Sequence, residues 1–213
     1  KKLLSHNYQI LSDLLGGLYF DDIDIFYKGN QAQSDLNHPN RQVGVGDIYG
    51  YNYKYLAQNL DAFTQFKFSY NTVDFYLAQY FSNTTYQRKG LYKNGIYETN
   101  SFGESKKIEF ENFGFKGGIT FKISGKKLFI FNGAHLTKAP TLKNTFTNSR
   151  LNNSIVDGLE SENISSLDAS YIFRSPKLKA RITAYYTLIK NATQTSFFYA
   201  EGTFDDGAGY SNT

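Results

Sequence analysis

The sequence predicts an all-β chain, an antiparallel arc of an up-and-down transmembrane β-barrel with long extracellular loops. Three observations predict it. Hydrophobic residues recur with a period of two through six segments, which is the spacing of strands and not of helices. Where that period is clean, one of the two faces carries no charge. Short turns and long polar connections alternate, so the short ones fall at one end of the strands and the long ones at the other.

Composition narrows the alternatives before any element is placed. Tyr 18 and Phe 19 bring the aromatic share to 17% of 213 residues, far too many rings for a disordered chain. With Cys 0 there is no disulfide framework and no thiolate site. The net charge of +4 comes from basic residues spread almost singly, without the patch or stripe that reads nucleic acid. No apolar run approaches the roughly 18 residues of a membrane-spanning helix, which excludes a helical membrane protein but not a barrel, where only every second residue meets lipid.

Residues 1–46 lack alternation and are expected to form an extracellular loop. Leu3, Leu4, Tyr8, Ile10, Leu11, Leu14 and Leu15 suit one or two helical turns stopped by Gly16-Gly17, followed by a polar stretch to Arg41. The first hairpin runs from Leu60 to Ser82 around Asn71-Thr72. Its uncharged face holds Phe66, Phe68, Phe75 and Leu77, and its other face Asp61, Lys67 and Asp74. Tyr49 to Tyr55 extends the first strand beyond the membrane. In the second hairpin Phe113, Phe115, Ile119 and Phe121 oppose Lys116 and Lys122. Ser124-Gly125-Lys126 then turns into Lys127–Thr137, whose two faces are both mixed, so its phase stays open. The third hairpin places Tyr171, Phe173, Ile182 and Tyr186 opposite Asp168, Lys179 and Arg181 around a turn at Arg174–Lys177. Residues 201–213 begin a further loop.

A soluble sandwich also segregates its faces. It has no reason to keep its short turns at one rim and its long connections, about 83–107, 138–160 and 191 onward, at the other. The uncharged residues are therefore expected to face lipid and the charged set to face a water-filled lumen. Five of the lumen charges are positive and three negative. This slightly favours anions, or else reflects Lys–Asp pairing between neighbouring strands. Six strands are fewer than the roughly eight of the smallest natural barrels. Together with the lack of any Met, this leads us to expect an internal piece of a longer protein.

Chemistry-bearing motifs are sparse. His6 and His38 fall in loop sequence and His135 in the strand of open phase, and no zinc-type His pair or Gly-x-Ser-x-Gly elbow occurs. Asp21, Asp22 and Asp24 lack the spacing and central Gly of a calcium loop and read as a solvated segment. Gly44, Gly46 and Gly50 precede no helix and fit a bulged strand rather than a phosphate cradle. No catalytic residue, metal or cofactor is assigned.

One resemblance carries further. Thr137-Lys138-Ala139-Pro140, Asn144, Phe146, Arg150, Asn152-Asn153 and Gly158 to Glu162 form a texture that continues in Ser166 to Tyr171, Lys179-Ala180-Arg181 and Phe197-Phe198-Tyr199. Asp13 to Gly16 and Gly46-Asp47 share it. Over most of residues 45–200 the chain resembles the barrel of Bacteroidota-type TonB-dependent receptors. The resemblance implies a 22-stranded barrel in the bacterial outer membrane that imports a scarce nutrient: a siderophore, oligosaccharide, peptide or cofactor. It also implies coupling to the TonB complex through a plug region absent from this sequence, and it allows a surface lipoprotein partner. The rival expectations are a passive porin or adhesin barrel and, further off, a secreted carbohydrate-binding sandwich.

Overall fold

The structure is a computed structural model and describes residues 2–11, 18–22, 27–197 and 210–212. Seven long strands make one antiparallel sheet: β1 (Lys2–Gln9), β2 (Ile48–Ser69), β3 (Val73–Gly90), β4 (Ile108–Ser124), β5 (Lys127–Lys138), β6 (Glu162–Arg174) and β7 (Lys179–Lys190). Each pairs with its neighbours in chain order, without a crossover. The short strand Gly103–Glu104 adds to the end of β3. No α-helix occurs among the described residues.

The three short turns share one rim. Tyr70 N–H donates to Val73 O at 2.8 Å to close the Asn71-Thr72 turn, and Lys122 N–H donates to Thr72 O at 2.8 Å, tying that turn to the next strand. Ser124 pairs with Lys127 across the second turn, and Ser175 N–H donates to Leu178 O at 2.7 Å in the third. At the opposite rim β2, β3 and β4 run to 22, 18 and 17 residues. At about 3.3 Å per residue, β2 is about 70 Å long, well beyond the roughly 9–11 residues that cross a bilayer.

The beginning of the chain departs from expectation. The helical turns expected from Leu3 are instead strand β1, whose Leu4, His6 and Tyr8 pair with Tyr55, Tyr53 and Tyr49 of β2. The apolar spacing there fits a helix or a strand, and pairing with a preformed row of tyrosines decides for the strand. The expected extracellular loop 1–46 therefore contains a seventh strand, where six were expected. Residues 12–17, with the Gly16-Gly17 stop, and Asp24 lie outside the described residues, as do Phe198 and Tyr199. The first connection above the hairpins is also shorter than expected, because β3 continues to Gly90.

The registers settle the phase of β5. Phe129 pairs with Phe121 and Tyr171, and Phe131 with Ile119 and Ala169, while Asn132 pairs with Gly118 and Asp168. The odd-numbered residues of β5 from Phe129 onward therefore share the uncharged face. His135 lies there too, its Nδ1 2.9 Å from Ser165 Oγ.

No second layer covers that face among the described residues. Phe66 remains 58% exposed, Phe115 57% and Ile182 73%. Burial concentrates elsewhere, under the long loops, where Tyr53, Tyr55 and Phe146 form the hydrophobic cluster. Arg88 is the largest fully buried side chain.

Candidate functional site

The registers place every residue expected to meet lipid on one side of the sheet. Phe66 pairs with Leu77, Phe68 with Phe75, Phe113 with Phe81, Ile119 with Phe75 and Phe131, and Ile182 with Tyr171. Rings of this side touch across strands: Phe68 and Phe75 stack at 4.8 Å, and Phe129 meets Tyr171 at 4.9 Å. Phe115, Phe121, Phe173 and Tyr186 continue the surface on the outer registers.

The eight charged residues fall on the other side, where they join polar networks. Lys122 Nζ donates to Asp74 Oδ1 at 2.6 Å and to Tyr70 O at 2.8 Å. Asp168 Oδ1 accepts from Asn132 Nδ2 at 2.9 Å, and Asn132 Oδ1 accepts from Tyr76 Oη at 3.1 Å. Arg181 donates to Ser170 Oγ at 3.0 Å and Thr183 Oγ1 at 3.2 Å. Asp61 accepts from Asn59 at 2.5 Å, and Lys116 sits 6.0 Å over the Tyr76 ring. Lys67 pairs with Tyr76, and Lys179 with Arg174. Of the two readings of these charges, Lys–Asp pairing is realised at Lys122 and Asp74, while Asp61, Asp168 and Arg181 bond to neutral groups.

Two glycines explain how the polar side packs. Tyr76 pairs with Gly118 and Tyr80 with Gly114. A Cβ on Gly118 would come within 2.4 Å of the Tyr76 ring, and one on Gly114 within 2.1 Å of the Tyr80 ring. Both rings thus lie flat over the neighbouring strand, where only glycine leaves room.

Above these strands the loops form an ordered cap. Asp21, 3% exposed, accepts from Arg41 and from Gly50 N–H at 2.7 Å. Asp35 accepts from Lys93 N–H at 2.9 Å, from Asn37 N–H at 3.1 Å and meets His38 Nδ1 at 2.8 Å, joining two loops. The acidic segment read as solvated is therefore split. Asp21 is a buried counter-ion, and Asp22 accepts from Gln33 Nε2 at 3.2 Å. No cluster of His, Asp or Glu able to hold a metal occurs among the described residues.

Arg88 fastens the cap. It is 1% exposed and has no carboxylate partner among the described residues. Its Nε donates to Ser149 O at 2.7 Å, and its Nη1 to Ser101 O at 2.9 Å and Asn153 Oδ1 at 2.5 Å. Its guanidinium also covers the Tyr53 ring at 5.1 Å. Burial without a counter-ion pushes its pKa down to about 10. Asn94 and Asn153, which look like loop-tip positions in sequence, are buried in this cap.

Between the cap and the first two strands lies a cleft of about 820 Å³, within the usual range of ligand sites. His6 and Tyr8 of β1, Tyr51, Tyr53 and Tyr55 of β2, and Phe146 with Arg150 of the loop line it. His6 stacks on Tyr53 at 5.2 Å, Tyr8 meets Tyr51 at 4.6 Å and Tyr55 meets Phe146 at 5.5 Å. Burial raises the pKa of both Tyr55 and Tyr51, which keeps these phenols neutral. Sequence reasoning missed this site, although Tyr49, Tyr51, Tyr53 and Tyr55 alternate plainly along one strand. No helix of the described residues is long and apolar enough to cross a membrane. Comparison with protein-family models, with curated proteins and with solved structures yields no significant match to this chain.

Proposed function

We propose that this chain is an arc of an outer-membrane β-barrel belonging to a TonB-dependent receptor, which imports a scarce small nutrient. The observation that carries the membrane part is the uncovered, uncharged side of β2 to β7 beside the rim of short turns. A soluble monomer rarely leaves a contiguous apolar patch of more than a few hundred Å² uncovered, and here Phe66, Phe68, Phe113, Phe115 and Ile182 all stand exposed on one side. In lipid it needs no cover, because the hydrogen-bonded ladder leaves only side chains to meet hydrocarbon. The polar side then lines the lumen, the long loops face the cell exterior, and the tyrosine cleft is the place where a nutrient first meets the barrel. Energy coupling through a plug and the TonB complex, and a surface lipoprotein partner, rest on the family resemblance.

Because these 213 residues include Cys 0, single cysteines placed among them report topology once any cysteine elsewhere in the full polypeptide is replaced by serine. In the protein as expressed in the outer membrane, Glu98→Cys and Asp157→Cys should react on intact cells with an impermeant maleimide, and Gly125→Cys should not. Reaction at Gly125 with silence at the other two overturns the orientation. Equal reaction at all three in a soluble extract overturns the membrane assignment. The reading frame that encodes this chain separates active from passive import: an upstream plug domain is expected, and a frame without one refutes coupling to TonB.

A further inference from the structure

From the tyrosine cleft we infer a site for a small ligand that combines a flat, ring-bearing body with a carboxylate, held by Arg150. The inference rests on the uptake reading for the side from which the ligand arrives, and on the geometry below for its chemistry. Arg150 is solvent-exposed at the cleft mouth. Its guanidinium lies over two rings, 5.6 Å from the centre of Tyr8 and 5.4 Å from that of Tyr51. Those π faces fix the cation in place without consuming its N–H donors. None of these donors has a hydrogen-bond acceptor or carboxylate partner among the described residues. This separates Arg150 from Arg41, which is paired with Asp21, and from Arg88, whose donors all meet loop oxygens. A guanidinium held by its face keeps a planar fork of donors free, and that fork matches a carboxylate in two parallel hydrogen bonds.

The rest of the cleft agrees in sign and shape. Lys143 adds a second exposed cation, and the acid lining the cleft, Asp22, is engaged by Gln33. Thr195 lines the same cleft at 9% exposure, and its hydroxyl has no partner among the described residues. Below the cation, the walls are ring faces and the side chains of Leu4 and Leu142, which suit a flat apolar body better than a chain of hydroxyls. A sugar site built on aromatic platforms needs several carboxylate or amide acceptors aimed at the hydroxyls; here Asn148 is the amide of the lining, and two of its three charged side chains, Arg150 and Lys143, are donors.

The test uses the full polypeptide that carries this chain, in detergent, with 2-naphthoate, its neutral isostere 2-naphthamide and ring-free octanoate as probes in titration calorimetry. We expect naphthoate to bind at least tenfold more tightly than naphthamide, and octanoate at least tenfold more weakly than naphthoate. Arg150→Gln should weaken naphthoate far more than naphthamide and so remove the preference for the acid, and Arg150→Lys should restore part of that preference. Tyr8→Leu should weaken both ring probes. Equal affinity for acid and amide, an unchanged preference in Arg150→Gln, or no binding of either ring probe overturns the inference. Because the cysteine labelling above does not depend on Arg150, a failed ligand assignment stays distinguishable from a failed membrane assignment.

Discussion

Replacing Ile182 with arginine gives the membrane assignment a magnitude. Ile182 sits on the uncharged side of β7, paired with Tyr171 and 73% exposed. It lies four residues past Leu178, at the rim of short turns. With about 3.3 Å of rise per residue and a tilt of roughly 35–45°, that puts it about 10 Å above the rim. An apolar band about 25 Å tall has its midplane near that height, so Ile182→Arg should cost about 2–4 kcal/mol in a bilayer. The same substitution at Leu178, at the interface, should cost about 0–1 kcal/mol. In water the cost would be within about 0.5 kcal/mol at both sites, since neither side chain is buried by protein. Thr183, the next residue along β7, points the other way and accepts a hydrogen bond from Arg181. An arginine there should cost much less than at Ile182, because its head meets lumen water.

A second substitution separates lipid from a protein partner on this face. Ile182→Phe should be near neutral if fluid acyl chains surround it, whereas a close-packed protein surface resists the larger ring by about 1–3 kcal/mol. The assay is reversible urea unfolding of the full polypeptide from bilayer vesicles, followed by far-ultraviolet circular dichroism, which reads the strand ladder directly. A flat arginine profile below about 0.5 kcal/mol from Leu178 to Ile182 would refute the lipid assignment. So would a penalty for Ile182→Phe as large as that for Ile182→Arg.

Gly118→Ala should destabilise by about 1–3 kcal/mol, since its Cβ would lie 2.3 Å from Asn132 Oδ1 and against the Tyr76 ring. Gly117→Ala, on the other side with 3.5 Å of clearance, should be tolerated, and urea midpoints of the two variants check the contrast. Arg88→Met should cost about 2–4 kcal/mol by stranding the oxygens of Ser101, Ser149 and Asn153. Hydrogen exchange should then rise jointly in residues 91–107 and 139–161 and stay unchanged at the short-turn rim; faster exchange in one loop alone would break the shared-fastener argument. Burial raises the Tyr55 pKa, so the unfolded chain ionises that phenol first. Stability from Tyr55 is complete below pH about 10 and falls as pH rises above it. Tyr55→Phe should flatten that alkaline loss in unfolding midpoints measured between neutral and strongly alkaline pH.

How much of this was legible in the sequence depends on whether a contact is written in a local period. The hairpins were legible because Phe66, Phe68, Phe75 and Leu77 alternate with charges, and pairing across a tight turn carries the same phase into the next strand. The phase of β5 was not, because Leu128, Ile130 and Leu136 make its polar side apolar as well. Only the partners Phe121 and Tyr171 fix which side Phe129 takes. The strand β1 was hidden for the opposite reason: its apolar residues fit two periods, and the tyrosine row that selects one of them lies some 45 residues on. Arg88 sits between Gln87 and Lys89, which reads as a solvated stretch. Its partners are two backbone carbonyls and one amide on distant loops, groups that leave no mark in composition.

The same distinction explains why the cleft and the membrane face differ in what they demand of sequence. The uncharged face is a statistical object: any uncharged residue at every second position of a strand suffices, and the pattern survives exchange of one ring for another. The cleft depends on particular atoms. Arg150 is useful to a ligand only because Tyr8 and Tyr51 hold its cation while no carboxylate takes its donors. Tyr8 lies opposite Tyr49 after a register shift between Asn7 and Tyr8, with its ring centre 4.6 Å from that of Tyr51. Deleting Gln9, with Ile10 still held by its hydrogen bonds to Asp47 and Gly46, would move His6 and Tyr8 to the other side of the sheet, emptying one wall of the cleft while leaving the uncharged side of β2 to β7 untouched. Loss of naphthoate binding with retained insertion into bilayers is the expected result of that deletion, and joint loss of both would show that the cleft and the barrel wall are one cooperative unit.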